Sequence, residues 1–428
     1  MPRRKGRGRA ILAAGARTLG RGLFRAVRRS DKAAHWARVG EDWFETLGEL
    51  KGAAMKLGQI ASQYSDLLPP EIAAQLARLQ ESAQPHPWDE MRGLLDWHWT
   101  DEQRALVESV EPEPLASASI GQVHRGRLAD GREVAIKIQY EGVAAAVDAD
   151  VRNLGRMLKL AGVLPIDGDS LDALLVEVRE RMREEVDYAL ERRHIEQFRA
   201  LPDIEGIVYP TPVPALCTER VLVMEYAAGR PLATAGELPQ ATRDRIGEQF
   251  VDWIVAQIFD HGLLHADPHP GNFRVADDGT LTVLDFGCVK RIRPNEQRLM
   301  AQIVAAALAR DWPRIHALLG EIGSLSRPDR EMTEAMQRVY AAHARVFLEH
   351  LLAEPHFDFK DPALIPEARA VIREALPQWR AFKPVPELAF VARSLSGGYW
   401  MLRSLSARVD LKSRFEAIAA RAETPDAP

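Results

Sequence analysis

The segment "HGLLHADPHPGNF" at 261–273, followed by "TVLDFG" at 282–287, sets three oxygen-bearing side chains at fixed intervals: Asp267, Asn272 five residues on, and Asp285 thirteen beyond that. These are the residue types that phosphoryl transfer asks of a protein. An aspartate orients or deprotonates the acceptor, while an asparagine and a second aspartate hold the magnesium ions that bridge the phosphates. Magnesium takes hard oxygen donors, which these side chains supply. The intervals match the HRDxxxxN-to-DFG arrangement of kinase catalytic loops. A loop and hairpin whose polar residues merely cap turns would share the composition, but not both intervals together.

Upstream, "EVAIKI" places Lys137 inside an apolar strand, where an ammonium is costly unless paired. In the kinase scheme such a lysine meets the α- and β-phosphates and is held by a helix glutamate. The bland alternative is a strand-edge lysine pointing to solvent. Before it runs "PLASASIGQVHRG", where Ala116, Ser117, Ala118 and Ser119 stand in the place of a glycine-rich phosphate cover. Backbone N–H groups of that loop remain available to phosphates, although Cβ atoms limit the close approach that glycine permits.

Several elements must position these residues. Residues 31–110 read as a helical extension, with Pro69-Pro70 opening a helix and Pro85 to Pro87 closing it. After Pro114 the pattern changes: Ser119–Leu128 reads as a strand, Asp130-Gly131 as a hairpin turn and Glu133–Gln139 as the return. Helices are expected near 143–160 and over Ser170–Leu201, the second capped by Asp169. Val221–Tyr226 is a short apolar strand, Pro239–His261 an amphipathic helix, and Phe273–Val275 and Leu281–Leu284 a small hairpin across Asp278-Gly279. Everything beyond Pro294 reads as helical.

The bulk composition sets outer bounds. With 428 residues, 46% hydrophobic and 27% charged, the chain suits one catalytic domain with helical additions. Cys217 and Cys288 form neither a CxxC nor a zinc pattern, and a reducing, cytoplasmic setting is expected. His261, His265 and His269 crowd the loop, where kinase geometry uses them as supports rather than ligands. No apolar run reaches the roughly 18–20 residues of a membrane span; the longest late stretch, Leu388–Leu405, is interrupted by Arg393 and Arg403. Residues 1–30 carry ten Lys or Arg and no acid, so the remaining body is near −15 when the whole is −5. This acidic body argues against nucleic acid as a partner. The basic start is either a cationic amphipathic helix that touches a membrane surface or a solvated tail, its helix weakened by Gly15, Gly20 and Gly22.

Taken together, the alanine-rich loop, a K-x-G-Q element at Lys56 and Gln59, an E-x-D element at Glu185 and Asp187, and "HADPHPGN" resemble the UbiB family of atypical kinase-like proteins, the quinone-biosynthesis group that includes the AarF type. The likeness covers about residues 45–400. It implies an α+β, protein-kinase-like bilobal domain with an N-terminal helical extension and a mostly helical C-terminal lobe. The boundaries are then 1–30 for the basic tail, 31–110 for the extension, 111–226 for the N-lobe and 227–420 for the C-lobe. It implies further that ATP lies between the lobes with Mg2+ or Mn2+, that Glu191 pairs with Lys137, that Glu225 and Tyr226 form the hinge receiving adenine, and that Lys56 and Gln59 meet Glu185 and Asp187 over the nucleotide as a regulatory cover. Without the resemblance, Lys56 reads as an exposed helix lysine and Glu185, Asp187 and Glu191 as a solvated acidic face. Ser117 interrupts the family's run of alanines, and the C-terminal membrane helices of several relatives have no counterpart here. The implied function is an ATP-dependent atypical kinase or ATPase supporting isoprenoid-quinone or related lipid metabolism. A quinone or isoprenoid lipid, its biosynthetic enzymes or a membrane surface are the implied partners. A small-molecule phosphotransferase and a nucleotide-gated scaffold for lipid-metabolising enzymes are the alternatives.

Overall fold

The computed structural model describes residues 85–117, 120–161, 168–383 and 385–422. Lys56, Gln59, Ala118, Ser119 and the basic tail lie outside them. The chain divides into two units, one running to Arg193 and resuming over Thr211–Tyr226, the other made of His194–Pro210 and everything from Ala227 onward.

In the first unit, helix α1 (Trp88–His98) and the short α2 (Asp101–Ala105) precede a four-stranded antiparallel sheet, β1 (Val107–Ser117), β2 (Gly121–Leu128), β3 (Glu133–Gln139) and β5 (Val221–Glu225), in the order β1-β2-β3-β5. Thr100 and Gln103 close a capping box at the start of α2. The helical reading of the extension up to 110 is corrected here, because β1 begins at Val107. Its sequence "VESVEPEPLAS" carries two prolines, which in a sheet are confined to edges and bulges. β1 is an edge strand whose register on β2 shifts at Val110/Pro114 and again at Pro114/Ala116. Periodicity alone did not reveal a strand so interrupted.

The hairpin between β2 and β3 turns at Gly131, whose φ of 88° favours glycine. Val134, Ile136 and Ile138 of β3 enter a core with Met91 and Leu95 of α1, Trp99, Leu128, Val221 and Val223. Each such side chain contributes about 1.5–3 kcal/mol on full burial. Helices α3 (Val143–Ala161) and α4 (Gly168–Glu185) follow, then α5 (Tyr188–Arg199). The single helix expected over Ser170–Leu201 is therefore two: Asp187 accepts the backbone N–H of Leu190 at 2.8 Å and so starts a new helix.

In the second unit, β4 (Ile207–Val208), β6 (Arg230–Pro231), β8 (Phe273–Val275) and β9 (Leu281–Val283) form a sheet in the order β4-β9-β8-β6, and β7 (Leu263–His265) pairs with β10 (Val289–Arg291). Because β4 pairs with β9, His194–Pro210 belongs to this unit rather than to the 111–226 lobe read from the sequence. The helices are α6 (Gln240–Ala256), α7 (Pro294–Leu308), α8 (Trp312–Glu321), α9 (Glu334–Ala344), α10 (Leu364–Ala375), α11 (Pro386–Leu405) and α12 (Leu411–Arg421). The C-terminal region is not wholly helical, since β11 (Phe357–Asp358) pairs with β12 (Arg408–Val409). Phe198, Phe250, Trp253, Phe273 and Phe286 are buried together around His265, with ring centroids 5.2–6.5 Å apart. No helix among the described residues is long and apolar enough to cross a membrane.

Candidate nucleotide and metal site

Lys137 lies mid-strand in β3, opposite Val123 of β2 and Leu222 of β5. Its neighbours Ile136 and Ile138 enter the apolar core, so alternation sends Lys137 to the other face. There Nζ donates to both carboxylate oxygens of Glu191 at 2.8 Å. The lysine is 7% and the glutamate 2% exposed, so each charge depends on the other. Glu191 stands in the first turn of α5, where the helix dipole favours an acid. The Tyr188 ring lies 5.1 Å from Nζ. Gly121 begins β2, and a Cβ there would meet the Ile138 carbonyl oxygen at 2.3 Å and the Tyr188 hydroxyl at 2.7 Å. Only glycine fits that approach.

Ala116 and Ser117 end β1, opposite Val123 and Gln122. Glu185 ends α4, and Asp187 caps α5 while its second oxygen lies 4.0 Å from Arg193. Their expected contacts with Lys56 and Gln59 fall outside the described residues. At the expected hinge, the Glu225 N–H donates to the Thr211 carbonyl at 2.9 Å and the Tyr226 N–H to the Glu133 carbonyl at 3.0 Å. The Glu225 carboxylate accepts the Thr211 N–H, and the Tyr226 ring lies under Arg125 at 4.5 Å. Both N–H groups are thus engaged within the first unit, which leaves the carbonyls of these two residues as the backbone groups they can turn to a base.

In the second unit the catalytic-type loop follows β7. The Asp267 carbonyl accepts the His269 N–H at 2.8 Å and the Asn272 side-chain amide at 3.0 Å. With its nitrogen so engaged, Asn272 keeps its amide oxygen for another partner. Leu284 N–H donates to the Asn272 carbonyl at 2.8 Å, which ties the segment carrying Asp285 to the loop. One Asp285 oxygen accepts the Gly287 N–H at 3.0 Å. The donor set of an amide oxygen and a carboxylate fits magnesium, which takes its remaining positions from phosphates and water. Among the described residues no three His, Cys, Asp or Glu side chains gather as a metal cage.

His265 is 1% exposed and its Nε2 lies 2.7 Å from the Asp285 carbonyl. A carbonyl only accepts, so Nε2 carries the proton. Burial is the main cause lowering its pKa below 6.5, against the opposing pull of the Asp285 backbone bond and the Asp267 charge. His269 accepts the Gly271 N–H at 3.1 Å. His261 ends a π-type turn, and Gly262 follows at φ 61°.

One residue escaped the sequence reading as a site residue. Arg393, on α11, places Nη2 2.9 Å from an Asp267 carboxylate oxygen. Its sequence signal was an arginine inside the apolar run Leu388–Leu405, a placement that demands a partner.

A family model described as the ABC1 atypical kinase-like domain matches residues 78–319, more than half of the chain. The chain belongs to that family. Among curated ABC1-type relatives, it is 31% identical over 380 residues to the atypical kinase coq-8, mitochondrial, of Caenorhabditis elegans, covering 87% of this chain and 50% of that protein. It is 30% identical to the atypical kinase COQ8B, mitochondrial, of Rattus norvegicus, covering 87% of this chain and 70% of that one. The chain thus spans half the length of the nematode relative. The solved complex of Rv3197 with erythromycin from Mycobacterium tuberculosis superposes with a TM-score of 0.64 at 27% identity, covering 92% of this chain and 99% of that one. The fold of the ABC1-family chain is α+β and kinase-like, as the sequence implied.

Proposed function

We propose that this protein is an ATP-dependent atypical kinase or ATPase that serves isoprenoid-quinone or related lipid metabolism. The observation that carries the reading is the buried Lys137–Glu191 pair: an ammonium kept at 7% exposure on a strand, held from one side by a bidentate carboxylate, is the form in which a lysine grips nucleotide phosphates. Asp267 orients the acceptor hydroxyl or water and receives its proton. Asn272 and Asp285 would hold the magnesium, which when bound supplies charge neutralisation at the phosphates. The amide fixes Asn272, and the Gly287 N–H fixes Asp285, before any ligand arrives. Adenine takes its backbone donor from residues after Tyr226, since the Glu225 and Tyr226 N–H groups are engaged. The names of the relatives, atypical kinases of mitochondria, support the reaction class, and the resemblance to quinone-biosynthesis proteins supports the metabolic setting. The protein acts as a soluble or membrane-peripheral catalyst in this reading.

Calorimetry of Mg-ATP binding, with phosphate release measured with and without quinone precursors or vesicles, tests it. Wild-type protein binds ATP only with magnesium or manganese, and Asp285→Asn loses that metal-dependent affinity. Full affinity in Asp285→Asn removes the metal assignment.

A further inference from the structure

Helix α11 lies outside the residues matched by the family model, yet it holds the loop that carries Asp267 at three points. Arg393 Nη2 contacts an Asp267 carboxylate oxygen at 2.9 Å. The hydroxyl of the next residue, Ser394, is 0% exposed and donates to the His265 carbonyl at 3.2 Å. One turn on, Gly397 packs against Pro268, where a Cβ would meet Pro268 Cγ at 3.0 Å and its carbonyl oxygen at 3.1 Å. Positions 393, 394 and 397 share one helical face. That face therefore seats His265, Asp267 and Pro268 in turn.

Arginine 393 itself is placed expensively. Its side chain is 9% exposed, and its Nε and Nη1 have no hydrogen-bond partner among the described residues. A guanidinium with two unspent buried donors costs stability, so its place beside Asp267 is not explained by packing. The Asp267 side chain is 27% exposed and needs a fixed rotamer to aim its oxygens. The planar guanidinium provides a directional donor that a lysine ammonium does not.

We propose that Arg393 is a positioning residue for phosphoryl transfer. Its guanidinium fixes the Asp267 carboxylate in the orientation that aligns the acceptor, with Ser394 and Gly397 setting the loop at the required height. This rests on the reading of Asp267 given above and adds to it a residue that touches neither nucleotide nor metal ligand. Among the described residues, Asp267 is faced by Arg393 from α11, and the charges of Asp267 and Asp285 both act on His265 of β7. Misplacing a catalytic group by an ångström costs about a hundredfold in rate while leaving substrate binding intact.

The test measures kcat for phosphate release from Mg-ATP, nucleotide Kd by calorimetry and unfolding midpoint on full-length protein. Arg393→Ala is expected to lower kcat about a hundredfold with Kd unchanged, and millimolar guanidinium ion restores at least a tenth of wild-type turnover. Arg393→Lys falls between the two. Gly397→Ala, which leaves every charge in place, lowers kcat by pushing Pro268. Wild-type kcat in Arg393→Ala overturns the proposal, as does a parallel loss of Kd, stability and kcat that guanidinium does not rescue. Should Arg393→Ala fail to fold, wild-type kcat in both Arg393→Lys and Gly397→Ala overturns it instead. Wild-type protein that neither binds nor hydrolyses Mg-ATP overturns the proposed function itself, a result distinct from all of these.

Discussion

Replacing Glu191 by Ala isolates what the buried ion pair does. Lys137 is 7% and Glu191 2% exposed, and Nζ sits 2.8 Å from both carboxylate oxygens. Removing the carboxylate takes the bidentate partner from a buried ammonium, a change that costs about 3–5 kcal/mol. At roughly 2–4 °C per kcal/mol for a unit of 150–250 residues, the unfolding midpoint drops on the order of 6–20 °C. The Tyr188 ring at 5.1 Å offsets only part of this, since a cation–π contact is worth about 0.5–2 kcal/mol. Replacing both partners, as Lys137→Met with Glu191→Leu, should recover most of the stability, because an apolar pair of similar volume is often neutral or better than a buried salt bridge. ATP affinity, by contrast, stays lost in the double variant. Urea denaturation followed by circular dichroism, with calorimetry of Mg-ATP binding, gives both readouts. A loss below about 1 kcal/mol in Glu191→Ala, the value of an exposed pair, would refute the reasoning. So would a double variant as unstable as the two single changes added together.

Two further outcomes follow from particular contacts. Gly121→Ala drives a Cβ to 2.3 Å from the Ile138 carbonyl oxygen, so it should destabilise by about 1–3 kcal/mol and weaken nucleotide binding; a thermal scan and calorimetry check this. His350 sits between Asp361 at 2.7 Å and Glu367 at 2.9 Å, with Arg403 donating to the Asp361 carbonyl. Burial works to lower its pKa, but the Asp361 hydrogen bond and the Glu367 charge outweigh it and the net direction is up. A raised folded-state pKa means that this stabilisation is fully present below about pH 6.5 and is lost as pH rises through the raised value. Wild-type protein should therefore lose part of its unfolding midpoint as pH rises from about 6.5 through the raised value, a loss that His350→Gln does not show, and equal pH slopes in the two proteins would exclude the contribution.

The loop stood out in the sequence because its candidate chemistry depends on residue type and short spacing. Asp267, Asn272 and Asp285 fall within nineteen residues, where a turn and a hairpin leave few arrangements. The need of Lys137 for an anion was equally local, since an ammonium amid "EVAIKI" is costly whatever the fold. β5 announced itself by an apolar run, and β3 by the Asp130-Gly131 turn before it. β1 did not, because Pro112 and Pro114 break its alternation and are tolerated only at a bulged edge. Which carboxylate answers Lys137 followed from resemblance alone, and without it Glu185, Asp187 and Glu191 read alike. The tertiary structure separated them: Glu191 is buried on Lys137, whereas Asp187 caps a helix. It also engaged the Glu225 and Tyr226 N–H groups within the first unit and carried Arg393 across 126 positions of sequence to Asp267. Pairings of that range are set by which helix face finds the core, and local periodicity holds no record of the partner.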